Sequence, residues 1–237
     1  MTVTYFFRDW QTLELLIQRA LPVLCGQPSI HIWDAGCANG AEPYTLAMLL
    51  REQMTDRVFH KVRILATDVD PGYGPRIVSG IYAEHEITRI PSTLRGRYVR
   101  RIDEPDNWQV VDDVRNKVSF ACHDLLSLEP PRDDFSLIVC KNVLVDFDEA
   151  GRSQVFRMFH RALLSGGLLA TEHTQKMPED AESLFEPISR YAQVYRRLET
   201  DGVRSHVDGP HAANVRAARE LQRNGGEIVR SERWAGD

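Results

Sequence analysis

Cysteine is scarce in this chain, with four residues in 237. Cys25, Cys37, Cys122 and Cys140 lie far apart and form no C-x-x-C pair, which argues against both a zinc site and a disulfide framework. Three of them sit in or beside apolar runs and read as reduced core thiols of a cytoplasmic protein. Long hydrophobic stretches are missing too. Nothing approaches the roughly 20 apolar residues of a membrane span, and Met1 to Asp9 lack the basic start and apolar core of a signal peptide. There is no surplus of positive charge: 29 Lys and Arg stand against 34 Asp and Glu, a net charge of -5, which speaks against a nucleic-acid partner. The densest basic group, Arg95, Arg97, Arg100 and Arg101, reads as a solvated face. The eight histidines show no paired ligand spacing, so no metal is expected, and His31, His123 and His173 read as strand residues near the site.

What is present is an alternation of short apolar runs with helical patterns, the mark of a parallel sheet covered on both faces. Apolar spacing from Trp10 to Leu24 predicts a helix, and Ile30 to Asp34 a first strand. Pro43 to Met54 reads as a helix with proline in its first turn, and Val62 to Val69 as a second strand. A weak helix is expected over Pro71 to Ser79. Residues Ile81 to Lys117 break the rhythm and read as an inserted subdomain of short helix and antiparallel strands. Strands resume at Val118 to His123 and Phe135 to Cys140, followed by a helix over Glu149 to Leu164 with Asp148 as its N-cap. Gly167 to Glu172 is a further strand, and Leu184 to Leu198 an antiparallel hairpin completing the sheet. We therefore expect a domain over 1–200, with an insert at 82–117, and a polar, partly helical extension over 201–237, where His211 to Arg223 carries helical spacing.

The turn Asp34-Ala35-Gly36-Cys37-Ala38-Asn39-Gly40 joins the first strand to the next helix. Glycines there let the backbone turn sharply and approach a ligand that a Cβ would strike. The spacing is not the G-x-G-x-x-G of a dinucleotide fold, and no Gly-Lys-Ser/Thr follows as in a phosphate loop. A phosphate-free adenosyl cofactor fits this turn. Asp68, ending the second strand beside Val69, can accept both ribose hydroxyls, while Asp70 caps the segment that follows. Asp124-Leu125, ending the third strand, falls over the adenine position.

Five segments occur in order: Tyr5-Phe6-Phe7-Arg8, Ala35 to Tyr44 with Glu42-Pro43-Tyr44, Ala66 to Asp70, Ser79 to Tyr82, and Phe135 to Leu144 with Cys140-Lys141-Asn142-Val143. Together they resemble the CheR-type methyltransferases, which transfer a methyl group from S-adenosylmethionine (SAM) to glutamate side chains of chemotaxis receptors. The likeness runs from about Thr4 to Leu198. It implies a doubly wound, Rossmann-like α/β fold of the class I SAM methyltransferases, with a mostly parallel seven-stranded sheet and a small inserted subdomain. It also implies roles for residues. Thr4 and Arg8 would meet the methionine end of SAM, with Arg8 beside the transferred methyl group. Glu42 would take the ammonium and Asp68 the ribose. Ala35, Gly36, Cys37 and Gly40 would form the turn, and Val69, Asp124, Leu125, Lys141 and Asn142 would complete the pocket, with S-adenosylhomocysteine as product.

Three departures from the family pattern bear on the acceptor. The sequence starts almost directly at the F-F-R motif, where family members usually carry a helical N-terminal domain first, so a stand-alone catalytic domain is expected. Lys141 replaces an arginine, keeping the charge but not the bidentate fork. Asp146 stands where the family has a tyrosine near the acceptor. An ionised acid would repel a carboxylate and attract an amine, or accept its proton. The resemblance makes Arg8 one catalytic candidate and this substitution makes Asp146 another, and a small molecule or peptide methylated at O or N is the expected acceptor. A chemoreceptor glutamate is the alternative, and a SAM-binding regulatory module with little activity is a third reading. The retention of Arg8, Glu42 and Asp68 speaks against the third. The insert would serve to dock a peptide, to close as a lid, or to form a contact in a homodimer.

Overall fold

The computed structural model describes residues 4–102, 106–172 and 176–199. The first helix, α1 (Trp10–Leu24), buries Leu13, Leu16, Ile17, Ala20 and Leu24, the face its spacing predicts. Strand β1 (Ile30–Ala35) follows, then α2 (Ala41–Gln53) and the single turn α3 (Asp56–Phe59). Helix α2 is buried from Pro43 to Leu50, as a helix lying between a sheet and its neighbours must be. It starts at Ala41, two residues before Pro43, so the proline lies inside the first turn rather than opening it. Strand β2 (Val62–Asp68) leads through a 3-10 turn at Pro71–Tyr73 into α4 (Gly74–Ser79). Asp70 caps that turn by accepting from the Gly72 N–H at 2.8 Å.

Between Ile81 and Arg115 lie β3 (Ile81–Ala83), α5 (Glu84–Ile87), α6 (Ser92–Tyr98), β4 (Val99–Arg101), β5 (Asn107–Val110) and α7 (Asp112–Arg115). The three strands form their own antiparallel sheet in the order β3-β5-β4. The main chain then resumes its alternation with β6 (Val118–Cys122), β7 (Phe135–Cys140), α8 (Glu149–Ala162), β8 (Leu163–Thr171), β9 (Phe185–Pro187) and β10 (Val194–Arg197).

The main sheet has seven strands in the order β6-β2-β1-β7-β8-β10-β9. The first five run parallel, and β10 pairs antiparallel with both β8 and β9. This is the mostly parallel α/β architecture expected. Every residue of β7 is buried, as a continuous apolar run in the middle of a covered parallel sheet should be. Trp33 sits in the core below the carboxyl end of β1. Its indole N–H donates to Thr67 Oγ1 at 2.8 Å, and its ring stacks on Phe135 with centroids 5.4 Å apart.

Two boundaries differ from expectation. Helix α8 stops at Ala162 and β8 begins at Leu163, four residues before the strand predicted at Gly167. The apolar pair Leu163-Leu164 satisfies either period, and pairing with Phe135 decides for the strand, across a register shift between Phe135 and Leu137. The thiols also divide: Cys37 and Cys140 are buried, whereas Cys25 and Cys122 are exposed, and all four are free. The basic cluster is an ion-paired surface, with Arg97 on Glu52, Arg100 on Asp112 and Arg101 on Asp106. The extension over 201–237, His173 and the remaining residues outside the stated ranges lie outside the described residues. Among those described, no helix is long and apolar enough to cross a membrane, and no group of three potential metal ligands is found.

Candidate active site

In an open parallel sheet the strand order reverses on either side of the first strand, and a crevice opens at the carboxyl ends there. Here β1 has β2 on one side and β7 on the other. The glycine turn, Asp68, Lys141-Asn142 and Glu172 all fall at that edge.

The turn itself is held from below. The N–H groups of Gly36 and Cys37 both donate to the Thr67 carbonyl, at 2.8 and 2.9 Å. Gly36 and Gly40 have φ of +88° and +89°, the left-handed region where only glycine is unstrained. A Cβ at either glycine would also strike the protein itself. A Cβ on Gly36 would lie 2.2 Å from Val143 Cγ2, and one on Gly40 would lie 2.7 Å from both Ile77 Cγ1 and the Tyr82 hydroxyl. The protein itself closes over both glycines. Tyr82 also donates to the Asn39 carbonyl at 2.9 Å, so the strand β3 buttresses the turn.

Asp68 is tied to the same turn. Its Oδ2 accepts from the Ala38 N–H at 2.9 Å and its Oδ1 from the Asp70 N–H at 3.1 Å. A carboxylate oxygen has two acceptor positions, so each retains one for a hydroxyl. Val69 beside it is exposed, while Leu125 is buried and Asp124 accepts from the Leu126 N–H at 2.8 Å.

The N-terminal segment packs across the opening. Phe6 is buried edge-on against Tyr82, with centroids 4.8 Å apart, and the Phe7 N–H donates to Thr45 Oγ1 at 3.0 Å. That anchorage brings the Arg8 carbonyl to 3.3 Å from Lys141 Nζ. Lys141, with a side chain only 2% exposed, also lies 3.2 Å from Glu42 Oε2. The lysine therefore partners the very carboxylate expected to receive an ammonium. Thr4 lines a hollow of about 300 Å³ with Tyr5, Asn39, Ala41, His85 and Arg89, and Arg89 stacks over the Tyr5 ring at 4.2 Å.

Sequence reading left two carboxyl groups without a role. Asp34 is fully buried at the end of β1, and neither of its oxygens has a hydrogen-bond partner among the described residues. Burial holds its carboxyl well above the usual carboxylate range, the charges of Glu42 and Asp68 push the same way, and Lys141 opposes them. Glu172, one residue beyond β8, is buried and accepts from the Asn142 N–H at 3.2 Å, while its other oxygen is buried without a partner among the described residues. Burial raises its carboxyl as well. The signal that could have found Glu172 is its place: an acid ending an apolar strand at the crevice edge.

Asp146 lies in a 3-10 turn after β7, exposed, and the cap of α8 is Asp148, which accepts from the Gly151 N–H at 2.7 Å. His31 departs from expectation. It sits at the amino end of β1, opposite the crevice, bound to Asp134 at 2.9 Å. His123 packs edge-on against Trp33 with centroids 5.4 Å apart.

The edge thus sets the carboxylates of Glu42 and Asp68, beside the buried carboxyl groups of Asp34 and Glu172, around one buried lysine. Such a balance rejects a pyrophosphate and suits a ligand that carries cations and hydroxyls. SAM, with its sulfonium, ammonium and ribose, is of that kind, and the residues present fit it.

Comparison with known proteins agrees. The family described as CheR methyltransferase, SAM binding domain, matches residues 2–193. A chemotaxis protein methyltransferase of Borreliella burgdorferi is 35% identical over 180 residues, covering 73% of this chain and 63% of that protein. One from Listeria monocytogenes is 32% identical over 171 residues, covering 71% and 63%. The match thus spans less than two thirds of those relatives' length. Among solved structures, a TehB-like SAM-dependent methyltransferase from Corynebacterium glutamicum is similar with a TM-score of 0.42 and 18% identity, covering 80% of this chain and 92% of that one. A family match over most of the chain, falling on a crevice built for a cationic nucleoside, places this protein in the CheR methyltransferase family.

Proposed function

We propose that this chain transfers a methyl group from SAM to a carboxylate side chain of a chemotaxis receptor. The observation that carries the reading is the acid-rich crevice, with Glu42 and Asp68 set at the carboxyl ends of neighbouring elements. Relatives named chemotaxis protein methyltransferase support the receptor as acceptor over a small molecule.

When bound, SAM supplies a methyl group already activated on a sulfonium. The protein's task is then alignment and exclusion of water. Asp68 holds the ribose through its remaining acceptor positions, and Glu42 holds the ammonium. The turn from Ala35 to Gly40 and the Lys141-Asn142 segment fix the cofactor between them, with Leu125 as an apolar wall. Arg8 and Arg89, at the N-terminal opening, give an incoming carboxylate a cationic approach. The acceptor is already ionised, so transfer needs no base. Residues 1–200 act as the transfer unit, with 82–117 as its insert.

A second reading rests on Asp146, an exposed carboxylate with no hydrogen-bond or ion-pair partner among the described residues. It favours an acceptor that carries a proton, an amine or a hydroxyl on a small molecule or peptide. Methyl-labelled SAM, offered with receptor cytoplasmic fragments and with amine metabolites, separates the two. Methyl esters release their label as methanol in mild base, whereas N-methyl products do not. Base-labile label on receptor protein supports the first reading. Base-stable label on a soluble product supports the second. Absence of transfer to either class defeats both.

A further inference from the structure

Four ionisable side chains are buried side by side at the carboxyl ends of β1, β7 and β8 and the start of α2. Asp34 and Glu172 are 0% and 3% exposed, and the side chains of Lys141 and Glu42 are 2% and 13% exposed. Three acids thus surround a single cation. Lys141 is committed to Glu42 Oε2 and to the Arg8 carbonyl, with Asp9 Oδ2 3.9 Å away. Glu172 uses Oε2 to accept from the Asn142 N–H at 3.2 Å. Its Oε1 is buried and accepts no hydrogen bond of normal geometry among the described residues, although its own backbone N–H and the charges of Glu42 and Lys141 act on this carboxyl.

A buried acceptor without a donor costs about 1–3 kcal/mol, and such atoms in folded proteins call for an explanation. A ligand that brings the donor supplies one. An α-ammonium has three N–H donors, and Lys141 already occupies part of Glu42, so one carboxylate does not saturate it. Asp34 is the weaker candidate for the remaining donor, because it lies wholly inside the sheet, whereas Glu172 lies on the segment that leaves β8 beside Asn142.

We propose that Glu172 is a second carboxylate for the ammonium of the bound amino-acid tail, with Oε1 accepting one N–H while Glu42 accepts another. The proposal rests on the SAM reading of the crevice. Glu172 also fixes Asn142, whose φ of 61° sets the turn that carries Val143 over Gly36. One side chain therefore shapes the pocket wall with one oxygen and holds the ligand with the other.

Two ligands separate these roles. S-Adenosylhomocysteine carries the ammonium, and methylthioadenosine keeps the adenosine and the thioether but lacks the amino-acid tail. Isothermal titration of the full chain with each, for wild type and Glu172→Gln, is the test. Loss of one charge-assisted contact weakens S-adenosylhomocysteine about tenfold, with methylthioadenosine held within twofold of wild type. Glu172→Asp keeps the charge on a shorter arm and falls between the two, and it stands in should the glutamine variant fail to fold. Unchanged affinity for S-adenosylhomocysteine, or equal weakening of both ligands, overturns the proposal. Failure of the wild type to bind either ligand instead overturns the SAM reading beneath it.

Discussion

At the scale of single residues, the crevice is governed by groups that have nowhere to go. Gly36 is the clearest case. Alanine there would meet Val143 Cγ2 at 2.2 Å in a backbone conformation that side chains avoid. Left-handed strain of about 1–2 kcal/mol combines with overpacking of about 1–3 kcal/mol. Gly36→Ala should lower unfolding free energy by about 2–5 kcal/mol in chemical denaturation and weaken S-adenosylhomocysteine binding with it. Asp146 belongs to the opposite class, an exposed acid with no hydrogen-bond or ion-pair partner among the described residues. Asp146→Asn should leave the melting temperature unchanged. On a receptor carboxyl acceptor it should raise kcat/KM severalfold by removing repulsion, and on an amine acceptor it should lower it by about 10²-fold or more. Steady-state assays with the acceptor found by labelling decide the sign.

At the scale of elements, periodicity carried most of the reading. The run behind β7 was legible because a strand in the middle of a covered parallel sheet is buried throughout, β1 and β2 were legible from short β-branched and apolar runs bounded by turns, and Asp70 and Asp148 were legible as caps because such residues terminate loops. The start of β8 was not, since Leu163-Leu164 suits a helix end as well as a strand and only the pairing with Phe135 chooses. Glu172 escaped notice for a related reason. Its partner, the Asn142 N–H, is 30 residues away on the neighbouring strand's exit, and no local pattern records that meeting. Asp34 was visible as an acid ending a strand, but not the burial of both its oxygens. Helix α8 allows a separate check. The Asp148 carboxylate bonded to Gly151 satisfies one of the free N–H groups of its first turn, so Asp148→Ala should cost about 1 kcal/mol in a urea titration, with cofactor affinity preserved.

At the scale of the whole molecule, the buried acids set a pH dependence of stability. The folded carboxyl of Asp34 lies well above its ordinary value of 3.8. The folded state therefore holds a proton that the unfolded chain has lost, and this group's contribution falls as pH rises from that value toward the raised one. Below the unfolded value the penalty is absent. Asp34→Asn removes it, so the variant should melt several degrees above wild type at neutral pH, with the gap closing near pH 4. Other groups tilt the curve the other way. Asp134, held below its ordinary range chiefly by its hydrogen bonds to Arg132, loses its contribution in acid. The comparison of variant with wild type across pH by differential scanning calorimetry isolates Asp34, and a constant gap would refute the assignment.

Trp33 offers a practical consequence of this packing. Its indole is wedged between Thr67 and Phe135, directly before Asp34 in the chain. An indole held rigidly one residue from a cluster of titrating charges is an optical sensor native to the site. Its emission colour should respond when a cation enters the crevice, which would make label-free fluorescence titration a route to ligand screening in this protein.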